Sequence, residues 1–119
     1  AGKWLLLIAG DGPCETACTE LAEQSRAIQV SLNRDMGRLA RIVLTAAPTA
    51  ALRDLQTRQP DLMLVAPPAS WQPTLQAGSR HRFYVVDPAG NLMMQYAPEA
   101  EAKGVRADLE RLLKHSWIG

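Results

Sequence analysis

Apolar residues run unbroken from Trp4 to Ala9 and stop at Gly10-Asp11-Gly12-Pro13. A short run that is apolar on both faces predicts a central strand of a covered sheet. The Gly/Pro cluster predicts the turn that leaves it. From Glu15 to Asn33 the period changes. Cys14, Cys18, Leu21, Ser25, Ile28 and Leu32 recur at spacings of four and three, which places them on one stripe of a helix. Asp11 or the turn itself is expected to cap this helix, and Gly37 to break it. Both cysteines then head the face that packs on the sheet, with Cys14 the more exposed.

Leu39–Thr45 predicts a second strand, β-branched at its centre. Thr49 is the expected N-cap of a short helix over Ala50–Arg58. Asp61–Val65 reads as a short strand. Pro67, Pro68 and Pro73 then impose an irregular segment around Trp71, with one helical turn near Thr74–Ala77. Arg82–Val86 is a strand apolar on both faces, and Asp87–Asn91 is a turn in which Pro88 fixes φ and Gly90 takes the left-handed position. Leu92–Tyr96 pairs back as the second arm of a hairpin. Beyond Pro98 an amphipathic helix reaches to His115 and turns Val105, Leu109, Leu112 and Leu113 inward. The early βαβ units imply parallel strands with right-handed crossovers, and the hairpin adds an antiparallel edge. This order is thioredoxin-like: an α/β three-layer sandwich with a mixed central sheet flanked by helices.

Length and charge narrow the field. The 119 residues suit one domain spanning 1–119. A net charge of +1 and sparse aromatics argue against nucleic acid or an anionic membrane as partner. No stretch approaches the roughly 20 apolar residues of a membrane-spanning helix, and residues 4–9 are too short for a signal-peptide core. The chain starts almost inside its first strand, so an upstream anchor would lie outside it.

The chemistry concentrates at the only two cysteines, Cys14 and Cys18. They stand at the end of a strand and the start of a helix, whose unpaired N–H groups favour thiolate; Glu15 opposes this. Two thiolates one turn apart can converge on a soft ion, and Cu(I) prefers such ligands. The same pair can close a disulfide if Cys14 lies in the pre-helical loop. A purely structural bond is disfavoured, because so short a loop constrains the unfolded chain little. Elsewhere the plain readings prevail. His115 complements a helix dipole, Met93 and Met94 are soft donors of which one must face the sheet surface, read as core filler ahead of copper ligands, Trp71 plugs a long connection, Trp4 and Trp117 pack at the sheet's edge and the chain's end, and Glu20 and Glu23 form a solvated face.

Cys14-Glu-Thr-Ala-Cys18-Thr-Glu-Leu21, placed between strand and helix, resembles the C-x-x-x-C motif of the Sco/SenC proteins. Phe83-Tyr84-Val85-Val86-Asp87-Pro88-Ala89-Gly90-Asn91, Tyr96 and the closing helix ending Leu109-Glu-Arg-Leu-Leu113 are similar to that family's last third. The resemblance covers both ends of the chain. Its middle, Ala46 to Ser79, has no recognisable signature and is shorter than the family's. The resemblance implies an extracytoplasmic protein, anchored on the periplasmic side of the inner membrane, that assists assembly of the copper A centre of cytochrome c oxidase. It further implies copper held by Cys14, Cys18 and a histidine. Here the histidine is His81, two residues after its usual place near Ser79, on the same strand face, between Arg80 and Arg82, which disfavour a cation. The implied partner is an oxidase subunit or another copper or thiol assembly factor, met by a monomer.

Two alternatives stay open. One is a thiol–disulfide oxidoreductase in which Cys14 attacks and Cys18 resolves. Against it stand the C-x-x-x-C spacing and the lack of a proline immediately before the Phe83 strand. The other is a divergent relative that keeps fold and thiols without copper. A peroxiredoxin-like peroxidase lacks the arginine and threonine expected around a peroxidatic cysteine.

Overall fold

A computed structural model describes residues 2–71, 75 and 78–115. Strand β1, Trp4–Ala9, is the axis of a five-stranded mixed sheet. On one side it pairs in parallel with β2, Leu39–Leu44, which pairs in parallel with β3, Leu62–Val65. On the other it pairs antiparallel with β4, Arg82–Val86, which carries β5, Leu92–Gln95, at the far edge. The spatial order is β3-β2-β1-β4-β5. It is the thioredoxin-like arrangement expected from the pattern. Trp4 heads the central strand, buried in the core rather than placed at the sheet's edge.

Helix α1, Thr16–Ser31, α2, Ala50–Arg58, and α3, Ala102–Lys114, fill the connections. The α1 stripe is buried as its spacing predicts, from Cys18 through Leu21, Ser25 and Ile28, and continues to Leu32 beyond the helix. The helix ends at Ser31, short of Gly37, and a 3₁₀ turn, Asn33–Arg38, carries the chain into β2. Asn33 takes the left-handed conformation there (φ 55°), which asparagine tolerates better than most residues. Gln29 Nε2 donates to the Leu39 carbonyl at 2.9 Å and fixes the entry to β2.

Buried side chains of all three helices join one cluster with Trp4, Leu6, Ile8, Val43, Phe83 and Val85. Two right-handed parallel crossovers running the same way put α1 and α2 on the same face. The opposite face, with Leu7, Ala9, Ile42, Leu44, Tyr84 and Val86, is covered by Trp71 and Leu75 from the segment between β3 and β4. The third layer is therefore this irregular connection, which includes the 3₁₀ turn Ala69–Trp71. Trp71 meets Tyr84 edge to face at 5.1 Å and acts as the expected plug. The helical turn expected near Thr74–Ala77 falls, apart from Leu75, outside the described residues, as does Trp117.

Arg41, at the middle of β2, is fully buried on the α1 side. Its guanidinium donates to Ser25 Oγ at 3.1 Å, to Gln59 Oε1 at 2.8 Å and to both oxygens of Asp61 at 3.1 and 3.0 Å. At the other end of the sheet, Asp87 Oδ1 accepts from the Ala89 and Asn91 N–H groups, and Gly90 takes φ 94°, closing the expected β4–β5 turn. The Tyr96 hydroxyl donates to Asp108 at 2.8 Å and ties the exit of β5 to α3. Burial and this bond push the Tyr96 hydroxyl well above its ordinary pKa.

Candidate redox and metal site

The last residue of β1, Ala9, delivers the chain to the loop Gly10–Glu15 at the carboxyl end of the parallel strands. Gly12 takes φ 79° in that loop, a conformation that favours glycine. Glu15 is the N-cap of α1 in extended geometry, with no side chain capping it. Asp11 does not cap α1 as expected. Its N–H donates to the Ser79 carbonyl at 2.8 Å, and its Oδ2 accepts from the Gly78 N–H at 2.8 Å. Asp11 therefore straps the loop to the chain approaching β4.

Cys14 lies in this loop and Cys18 in the first turn of α1, and the two form a disulfide with Cα atoms 5.0 Å apart. In a regular helix the Cβ atoms of residues four apart stand about 5–6 Å apart, beyond the roughly 3.5–4.5 Å of a disulfide. Keeping Cys14 outside the helix lets the pair close. Both cysteines are buried, at 0% and 1% exposure, which corrects the expectation that Cys14 is the more exposed. The Cys14 carbonyl accepts a hydrogen bond from Thr49 Oγ1 at 3.1 Å. The same Oγ1 accepts from the Leu52 N–H at 3.2 Å as the N-cap of α2.

His81 stands one residue before β4, in phase with Phe83 and Val85 on the α1 side of the sheet. It packs directly on Gly10: a Cβ built there would lie 2.6 Å from the His81 Cα and N. Its ring borders a cavity of about 400 Å³ shared with Asp11, Arg80 and, on α1, Ala17, Leu21 and Gln24. Nε2 is buried and has no hydrogen-bond partner. Burial lowers the His81 pKa from its ordinary 6.5, opposed by the nearby Asp11 carboxylate. Arg80 is ion-paired with Glu99 at 3.2 Å. Among the described residues, no three His, Cys, Asp or Glu side chains converge as a metal-holding group in this disulfide-bonded state.

His115 caps the end of α3, Met93 is exposed, and Met94 packs partly into the core. Glu20 and Glu23 are solvent-exposed. The sequence pattern marks Thr49 as a helix cap and Gly10 as the start of a turn, and shows neither the bond to Cys14 nor the seat of His81. The signal for Gly10 was present: a glycine directly after a buried strand marks a place where another backbone comes close.

A mixed sheet of this order with a disulfide between the end of its central strand and its first helix defines a protein of the thioredoxin-like class. The chain belongs to the transmembrane-like, thioredoxin-like C-terminal domain family, whose model matches residues 4–116. Its fold is that of the Sco proteins. The structure of Bradyrhizobium japonicum ScoI with copper bound aligns with a TM-score of 0.61 and 19% identity over 92% of this chain and 85% of that one. Yeast Sco1 with copper bound aligns with a TM-score of 0.65 and 16% identity over 97% of this chain and 78% of that one. A putative thioredoxin from Neisseria meningitidis aligns comparably, with a TM-score of 0.64 and 11% identity over 98% of this chain and 78% of that one. No curated protein sequence matches the chain. No described helix is long and apolar enough to cross a membrane.

Proposed function

We propose that this chain handles copper as cargo, through thiol–disulfide chemistry at Cys14 and Cys18, in the assembly of cytochrome c oxidase. The observation that carries the reading is the buried Cys14–Cys18 disulfide at the strand–helix junction, which already brings the two sulfurs together. The copper-bound relatives of the same fold support it. Reduction takes two electrons and two protons from a dithiol, which closes its own disulfide, and frees both cysteines. Deprotonated, they offer two soft donors to Cu(I). His81 fits as a third donor. Its Nε2 is buried without a partner, and its backbone is seated on the glycine that begins the cysteine loop. The oxidised pair has no thiolate to give, so the redox state decides whether cargo is held.

The protein acts outside the cytoplasm, on the periplasmic side of the inner membrane, held there by an anchor outside this chain. Its partner is an oxidase subunit or another copper or thiol assembly factor, which it meets as a monomer.

Anaerobic titration of the reduced protein with Cu(I) against a competing chelator tests the reading. The expected result is one-to-one binding, lost in Cys14→Ser and in Cys18→Ser and weakened at least tenfold in His81→Ala. Binding no stronger than the competitor's would overturn it. A thiol–disulfide oxidoreductase is the second reading, favoured by the disulfide itself. It would be supported by metal-free turnover of a disulfide substrate that both serine variants abolish.

A further inference from the structure

Among the described residues, Thr49 is the one side chain from another element that hydrogen-bonds the backbone of the cysteine pair, at the Cys14 carbonyl. We infer that Thr49 is a positioning residue that sets the redox equilibrium of Cys14–Cys18 by holding Cys14 in the pre-helical loop. The inference rests on the proposed thiol chemistry of that pair and adds a residue that governs it.

The hydroxyl makes two bonds at once. It donates to the Cys14 carbonyl at 3.1 Å and accepts from the Leu52 N–H at 3.2 Å. Thr49 is itself fixed as the N-cap of α2, and α2 is anchored in the core by Leu52 and Leu55. The Cys14 backbone is thus tied to a rigid element rather than to another loop. This matters because of the spacing. Without the tie, reduced Cys14 is free to swing away or to be drawn into another turn of α1, where residues four apart hold their Cβ atoms about 5–6 Å apart, beyond the roughly 3.5–4.5 Å a disulfide spans. The tie keeps Cys14 outside the helix, at the 5.0 Å Cα separation seen here, and so raises the effective concentration of one thiol at the other. A pair held ready to close favours the disulfide.

The equilibrium is Cys14–Cys18 disulfide plus dithiothreitol giving the dithiol plus oxidised dithiothreitol. Two electrons and two protons pass from the reagent to the protein, and the reagent closes its own ring. Thr49→Val keeps the shape and removes the hydroxyl; Thr49→Ser keeps the hydroxyl. The expected result is a shift of roughly tenfold toward the dithiol in Thr49→Val, equivalent to about 30 mV, with Thr49→Ser close to wild type. Thr57→Val is the control: it removes an exposed α2 hydroxyl that bonds the Arg53 carbonyl and leaves both the core anchor of α2 and Cys14 untouched, and its equilibrium should stay at the wild-type value. An unshifted Thr49→Val, or a Thr57→Val shifted as far, would overturn the assignment. The outcome is separable from the copper titration. A shifted Thr49→Val in a protein that binds no Cu(I) keeps the positioning role and removes the cargo.

Discussion

Gly10 has no side chain because His81 occupies the space where one would begin. The atoms it would meet are the His81 Cα and N at 2.6 Å and Cγ at 2.7 Å, mostly backbone that cannot rotate aside. Gly10→Ala must push the two segments apart, at a cost of about 1–3 kcal/mol as for other overpacked sites. Calorimetry should show the lower Tm, and the largest NMR shifts should fall at His81 rather than in α2. An unchanged His81 resonance would remove its seat from the account. At this scale the sequence was legible where spacing alone decides. The stripe from Cys14 to Leu32 is buried throughout because helical period and burial are the same fact. It was not legible where a contact crosses the chain. The burial of Cys14, its bond to Thr49 and the fit of His81 on Gly10 come from segments 35 to 71 residues apart.

Arg41 links three elements, since its guanidinium in β2 reaches Ser25 of α1, Gln59 at the end of α2 and Asp61 before β3. Removing one partner of such a group leaves a buried charge short of acceptors. Asp61→Ala should cost about 2 kcal/mol in urea denaturation, less than for a fully buried pair because water reaches the half-exposed Asp61. Burial pushes the Asp61 carboxyl up, but the Arg41 hydrogen bonds and charge outweigh it and hold the pKa below 3.8. A depressed carboxyl stabilises above its unfolded value and loses that contribution as pH falls through the folded one. The stability gap between wild type and Asp61→Asn should therefore narrow from about pH 5 to pH 3; a constant gap would contradict it. Element bounds followed how local their causes are. Helix α2 and strand β4 were read correctly because a threonine cap, a proline-rich flank and a hairpin turn lie beside them. Helix α1 ends within two residues of the Asn33 limit its period sets, but left-handed Asn33 and the 3₁₀ turn that follows, not Gly37, end it. A charged residue at the centre of an apolar strand gave no hint of its partners, all of them distant in sequence.

The described residues form a sheet with helices α1, α2 and α3 on one face and an irregular strap carrying Trp71 and Leu75 on the other. The parallel βαβ units and the antiparallel hairpin were legible because period changes and turn residues mark them locally, whereas the antiparallel seat of β4 on β1 joins strands far apart in sequence. The makeup of the third layer was not, since prolines around Trp71 exclude a regular helix without saying what packs instead. Trp71→Ala should uncover Tyr84 and cost about 2 kcal/mol, below the usual range for a fully buried aromatic because Trp71 is only part-buried. Increased binding of an apolar fluorescent dye to the folded variant would report the uncovered face; no increase would mean the strap holds without its tryptophan.

At this scale the central claim is that the buried disulfide governs whether copper is carried. The most direct test is a single Cu(I) competition titration run in parallel on the fully oxidised and the fully reduced protein. The account predicts one equivalent bound by the reduced form and none above the competitor by the oxidised form, with binding recovered when the oxidised sample is reduced. Equal binding by both forms would show that Cys14 and Cys18 are not the ligands, and absence of binding by both would leave a thiol protein without copper.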